Sequence, residues 1–124
     1  MKRLLIVDDS NIIRSKIARC LGEYGLEIAG LAANGRDALL RFQATPCDLV
    51  TMDLTMPQMD GIECIRALRA LDPKVHILVV SALADKATAI QALKEGAQGF
   101  LCKPFSESEL TEAIGELLSD DSND

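Results

Sequence analysis

Three acidic residues, a hydroxyl and a lysine share one placement in this sequence, each standing at the end of a short apolar run. Asp8 and Asp9 close RLLIVDD, Asp53 closes DLVTMD, Ser81 closes HILVVS and Lys103 follows GFLC. Within LVTMDLTMPQMDG, Asp53 could be a turn residue, a metal ligand or a nucleophile, and that segment alone does not choose among the three. Carboxylates held close together raise one another's pKa unless a cation relieves them. If the runs are neighbouring strands, a divalent ion and Lys103 together balance Asp8, Asp9 and Asp53. Carboxylates without a nearby thiolate or imidazole suit a hard cation, and an open site of two or three carboxylates that retains water suits Mg²⁺. The implied chemistry is metal-assisted phosphoryl transfer, in which one carboxylate attacks phosphorus to give an aspartyl phosphate while the cation and the ammonium neutralise the phosphoryl oxygens.

Convergence of these groups requires a particular set of elements. Five apolar runs, RLLIVD, LEIAGLA, CDLVTMD, VHILVVS and GFLCK, are each followed by a stretch of helical spacing or helix-forming composition. Continuous rather than alternating apolar character predicts strands covered on both faces, as in a parallel sheet. Ser10 is placed to cap a first helix with Ile13, Ile17, Cys20 and Leu21 on one stripe, and Asn34 or Gly35 to open a second ending near Phe42. Asp60, with Glu63 three residues on, opens a third that Asp72 and Pro73 stop; a fourth runs from about Asp85 to Lys94 and ends at Gly96. Ser106 and Glu109 form a capping box for the last, which buries Leu110, Ile114, Leu117 and Leu118. The expected fold is α/β, a doubly wound (βα)₅ with helices on both faces of a five-stranded parallel sheet. Ligands of such sheets bind outside the carboxyl ends of the strands, which is where the five residues meet.

Composition sets the remaining bounds. The 124 residues are the size of one domain, and 48% hydrophobic with 3% aromatic content implies an aliphatic core. We place the domain at residues 1–118 and an acidic, flexible tail at 119–124. Residues 107–124 hold seven acids and no Lys or Arg, whereas residues 1–106 hold 13 basic and 12 acidic side chains, so the net charge of −6 is a C-terminal property. No basic stripe with interleaved aromatics points to direct nucleic-acid binding. No apolar run approaches the roughly 18 residues of a membrane span, and the N-terminal run is shorter than the about 7 residues of a signal core, so a cytoplasmic location and no membrane insertion are expected. Cys20, Cys47, Cys64 and Cys102 form no C-x-x-C and are read as small buried hydrophobes; His76, the single histidine, is read as a surface residue. Met52, Met56 and Met59 fit strand and turn packing better than a soft-metal site, Pro57 turns the chain, and Asp60 is an N-cap.

The blocks LLIVDDS, DLVTMDLTMPQMDGIECI, ILVVSALAD and GFLCKPF, in this order over about the whole chain, resemble those of a bacterial two-component response regulator receiver domain. The likeness is greatest to the stand-alone chemotaxis-type regulators. The resemblance implies a flavodoxin-like three-layer sandwich with strand order 2-1-3-4-5. It implies that Asp53 accepts a phosphoryl group from a histidine kinase, that Asp8 and Asp9 hold Mg²⁺ with Asp53 and the backbone carbonyl of Thr55, and that Lys103 pairs with Asp53 and then with the phosphate. It further implies a cis bond between Lys103 and Pro104, a switch hydroxyl at Ser81 and a switch aromatic at Phe100. Movement of Ser81 and Phe100 would alter the face made by the fourth helix, fifth strand and fifth helix, a two-state element biased by charge. Ser81 stands where threonine is more usual, and Phe100 lacks a phenolic hydroxyl. Leu83, two places beyond Ser81, cannot position a hydrolytic water as some side chains there do, so slow self-dephosphorylation is expected.

The expected function is therefore a signalling switch and not an enzyme beyond its own phosphoryl transfer and dephosphorylation. With no output domain after Leu118, its output passes through a downstream protein, in a chemotaxis pathway the flagellar motor switch or a receptor-coupled kinase, with the chain a monomer or a phosphorylation-dependent dimer. A competing reading is a phosphatase of the haloacid dehalogenase type, which also uses a strand-end aspartate, Mg²⁺ and a lysine. That family wants a second aspartate two residues after the nucleophile, where Thr55 stands here. A third is a receiver-like interaction domain that takes no phosphate, against which stand the acid pair, Asp53, Ser81 and Lys103.

Overall fold

Short apolar strands leave amides and carbonyls that only neighbouring strands can satisfy, and the five runs of this chain satisfy one another. The structure, a computed structural model, describes residues 2–56, 59–83 and 85–122. Its strands are β1 (Arg3–Val7), β2 (Glu27–Ala32), β3 (Leu49–Met52), β4 (His76–Ser81) and β5 (Gly99–Cys102). The helices that follow them are α1 (Asn11–Tyr24), α2 (Gly35–Ala44), α3 (Gly61–Leu71), α4 (Lys86–Glu95) and α5 (Glu107–Ser122). All pairings are parallel and the order is β2-β1-β3-β4-β5. This is the doubly wound, flavodoxin-like architecture.

Side chains alternate across the strands into two cores. Leu5, Val7, Val50, Met52, Ile77 and Val79 pack against Phe42 of α2, Ile65 and Leu68 of α3 and Ala92 of α4. Leu4, Ile6, Leu49, Leu78 and Val80 pack against Ile17 and Leu21 of α1 and Leu110, Ile114 and Leu117 of α5. Two-sided burial is complete for β3 and nearly so for β1 and β4, which explains their unbroken apolar runs. The edge strands β2 and β5 are only partly covered. Cys102 is exposed for that reason, a correction to its reading as a buried hydrophobe, whereas Cys20, Cys47 and Cys64 are buried. His76 is half-buried rather than on the surface, because it opens β4 between its two neighbours.

Helix boundaries follow from capping chemistry. The side chains of Ser10, Asn34, Asp60 and Asp85 each accept from the amide three residues on, and Ser106 and Glu109 bond reciprocally. Gly25 and Gly96 close α1 and α4 with φ of 110° and 128°, where an L side chain is strained. α2 continues past Phe42 to Ala44, and α5 past the boundary drawn at Leu118 to Ser122. The turn assigned to Pro57 and the last residues of the tail, 123 and 124, lie outside the described residues.

Candidate functional site

The sheet places its functional residues by extending its ladders one residue past the strands. The Asp8 amide donates to the Ala32 carbonyl (3.0 Å), the Asp53 amide to the Val7 carbonyl (2.9 Å) and the Lys103 amide to the Ser81 carbonyl (2.9 Å). Each side chain therefore leaves a backbone that its neighbouring strand holds. One oxygen from each of Asp8, Asp9 and Asp53 lies within 4.8 Å of the other two. Asp8 and Asp53 are buried and Asp9 is exposed, so the cluster is open on one side.

Lys103 supplies the cation. Its Nζ lies 2.8 Å from Asp8 Oδ2 and 3.6 Å from Asp53 Oδ1. The resemblance implied a pairing with Asp53; here the ammonium favours Asp8 while reaching both. Asp8 Oδ1 accepts from the Ser10 amide at 2.9 Å, whereas the buried Oδ2 has, among the described residues, no aligned hydrogen-bond donor and an ion-pair contact to Lys103 at 2.8 Å. Asp53 Oδ1 accepts a long bond from the Thr55 amide, 3.5 Å. Burial chiefly, and then the Asp8 charge, push the Asp53 carboxyl up to about 6, against the opposing pull of Lys103 and the Thr55 amide.

These donors fit a hard divalent cation. They are all carboxylate oxygens and lie within 4.8 Å of one another, three acids that the single Lys103 ammonium does not balance. Asp8, Asp9 and Asp53 are the side chains that could hold it.

Ser81 is buried at the end of β4, and its Oγ accepts from the Leu83 amide at 3.0 Å, which ties the hydroxyl to its own turn. Phe100, paired with Val79 in the sheet, is half-buried against the α2–α3–α4 core. Thr55 and Leu83 are exposed. The Lys103–Pro104 peptide bond is cis.

Other residues at this edge escape a reading of strand ends. Arg14 Nη1 donates to the Asp8 carbonyl at 2.5 Å, and Nη2 to Asn11 Oδ1. Its signal in sequence is a cation close to a helix N-terminus, where the dipole disfavours one. Gly61 lets α3 start against the strand end, its amide donating to the Leu54 carbonyl at 3.0 Å; a Cβ there would stand 2.4 Å from the Asp53 carbonyl oxygen. Glycine at a first helical position, a poor helix former, is its trace in the sequence.

A doubly wound parallel sheet whose carboxyl edge gathers an acid pair, a central buried aspartate, a hydroxyl and a lysine defines a class of acidic sites that could hold a cation on a flavodoxin-like frame. The response regulator receiver domain matches residues 4–115, and the chain belongs to that family, the receiver domains of two-component systems. It is 41% identical to the chemotaxis protein CheY of Thermotoga maritima, over 94% of this chain and 97% of that protein. The CheY of Bacillus subtilis is 38% identical over 94% of this chain and 98% of its own length. Among solved structures, a CheY-like receiver domain protein from Methanospirillum hungatei superposes with a TM-score of 0.93 at 28% identity, covering 99% and 98% of the two chains. The CheX–CheY–BeF₃–Mg²⁺ complex from Borrelia burgdorferi matches with a TM-score of 0.90 at 28% identity, covering 94% of this chain and 89% of that one. Like its CheY relatives, the chain is a receiver-type signalling module, and no helix among the described residues is long and apolar enough to cross a membrane.

Proposed function

We propose that this protein is a phosphorylation-activated switch in which Asp53 takes a phosphoryl group from the phosphohistidine of a kinase. One observation carries the reading: Asp53 is buried at the carboxyl edge of the sheet, with oxygens of Asp8 and Asp9 within 4.8 Å and the Lys103 ammonium 3.6 Å away. An Asp53 oxygen forms the new P–O bond as the donor's P–N bond breaks, and the departing imidazole nitrogen takes up a proton. Asp8, Asp9, Asp53 and the Thr55 carbonyl would hold Mg²⁺, which would supply charge neutralisation for the phosphoryl oxygens. Lys103 reaches Asp53 while paired with Asp8, so its ammonium can serve an anion built on either side.

Ser81 and Phe100 carry the response. The Ser81 hydroxyl exchanges its Leu83 amide for a phosphoryl oxygen, Phe100 fills the vacated space, and the α4–β5–α5 face changes. Ile90 and Leu93 of α4 are 43% and 47% exposed, which suits a protein-binding face. The Borrelia CheY engages CheX in its complex, and a downstream partner of that kind, or the flagellar motor switch, is the proposed target here. Leu83 offers the phosphoryl group no water-orienting side chain, so it should persist for minutes or longer without a phosphatase.

The test is incubation with Mg²⁺ and acetyl phosphate or beryllofluoride, read by intact mass and amide NMR. Wild type should gain one phosphoryl group and shift resonances across α4 and β5, and Asp53→Asn should do neither. A response without Mg²⁺, or one that survives the substitution, overturns the reading.

A further inference from the structure

We infer that Lys16 is a positioning residue for Lys103, acting through the backbone of Phe105. The effect on rate rests on the phosphoryl-transfer reading above; the effect on Lys103 itself does not. Lys16 lies on α1 and turns its side chain onto the segment between β5 and α5. Its Nζ donates to the Phe105 carbonyl at 2.5 Å and stands 4.4 Å from the centroid of the Phe105 ring. A solvated helix lysine leaves its ammonium in water; this one is half-buried and makes two contacts with one residue 89 positions away.

Phe105 is a firm anchor, being 4% exposed within the α1–α5 core. Only Pro104, whose ring fixes φ, separates it from Lys103. On the other side, the Lys103 amide is bonded to the Ser81 carbonyl at 2.9 Å. The backbone of Lys103 is thus held by β4 on one flank and by α1, through Lys16, on the other. That matters because the ammonium is 2.8 Å from Asp8 and 3.6 Å from Asp53, so a shift below an ångström decides which carboxylate it serves. Errors of that size in a reacting group change rates by orders of magnitude.

Lys16→Met keeps the stem over the ring and removes the donor and the charge; Lys16→Arg keeps both. Acetyl phosphate, used in place of a kinase, keeps protein docking out of the measurement. Lys16→Met should slow phosphoryl uptake about tenfold without lowering Mg²⁺ affinity, and Lys16→Arg should recover the wild-type rate to within about twofold. In a Lys103→Met background, Lys16→Met should change the rate no further. In Mg²⁺-free protein the ¹⁵Nζ resonance of Lys103 should be sharp in wild type and Lys16→Arg and broadened in Lys16→Met. A wild-type rate in Lys16→Met, a parallel loss of Mg²⁺ affinity, failure of Lys16→Arg to rescue, or the same further loss in the Lys103→Met background overturns the inference. If wild type takes up no phosphoryl group, the functional reading fails and the resonance still decides: an unchanged Lys103 signal in Lys16→Met refutes the role of Lys16.

Discussion

Asp53 has a carboxyl that its surroundings make hard to ionise. Raised from 3.8 to about 6, chiefly by burial, it binds a proton more tightly in the folded chain than in the unfolded one. The sign follows from linkage: below pH 3.8 both states are protonated and nothing is lost, and as pH rises through about 6 the folded state alone bears the cost of a buried charge. At about 1.4 kcal/mol per pKa unit, that cost reaches about 3 kcal/mol at neutral pH in the absence of divalent cations. Asp53→Asn should therefore be more stable than wild type in chelator at pH 7.5, with the gap closing toward pH 4. Urea unfolding of both proteins at the two pH values checks this, and a gap that is absent or independent of pH contradicts it. The residue proposed to take the phosphoryl group is thus a carboxylate whose charge its burial opposes.

The element that presents Asp53 depends on a residue with no side chain. α3 begins hard against the end of β3, and a Cβ on Gly61 would stand 2.4 Å from the Asp53 carbonyl oxygen and 2.6 Å from the Leu54 Cα. Both contacts are backbone, so neither can rotate away. Gly61→Ala should cost about 1–3 kcal/mol and displace the strand end. Gly22 lies inside α1, where an added Cβ would meet nothing within 4 Å, so Gly22→Ala should stabilise by about 0.5–1 kcal/mol. Urea midpoints of the two variants should move in opposite directions; a shared direction would show that close approach is not what selects Gly61. Strand and helix identities were legible because capping residues and apolar runs are local signals: Asp60 with Glu63, and Ser106 with Glu109, need no tertiary knowledge. What was not legible depended on neighbours far along the chain. The exposure of Cys102 comes from β5 being an edge, and the start of α3 against β3 comes from a clearance that only the fold defines.

At the scale of the molecule, the candidate site was legible because topology brings four strand ends, those of β1, β3, β4 and β5, to one place. Asp8, Asp53, Ser81 and Lys103 are 45, 28 and 22 residues apart in succession, yet ladder bonds set three of them directly against neighbouring strands. The supports from α1 were hidden: Arg14 and Lys16 read as ordinary helix cations until the carbonyls of Asp8 and Phe105 are seen beneath them. Because the acids gather from separate strands, a cation bound among them stabilises the whole fold by mass action. Mg²⁺ at about 100 times its Kd should add about 2.7 kcal/mol. Asp9→Ala removes an exposed acid and should leave the metal-free midpoint nearly unchanged while abolishing much of that gain, as a thermal melt with and without Mg²⁺ would show. An equal gain in the variant would place the cation elsewhere.

The contact between Lys103 and Asp8 has a further consequence. Since the ammonium already lies 2.8 Å from Asp8 Oδ2, a divalent cation held at Asp8 would have to displace a monovalent one that the chain itself provides, and binding would be an ion exchange. Affinity for the metal would then be a difference between two attractions, with Asp53 Oδ1, 3.6 Å from the ammonium, the carboxylate left within its reach. Lys103→Met should bind Mg²⁺ more tightly than wild type while transferring phosphoryl more slowly, a separation that titration calorimetry and intact mass measure side by side. Weaker binding in that variant would mean that the two cations cooperate instead of competing.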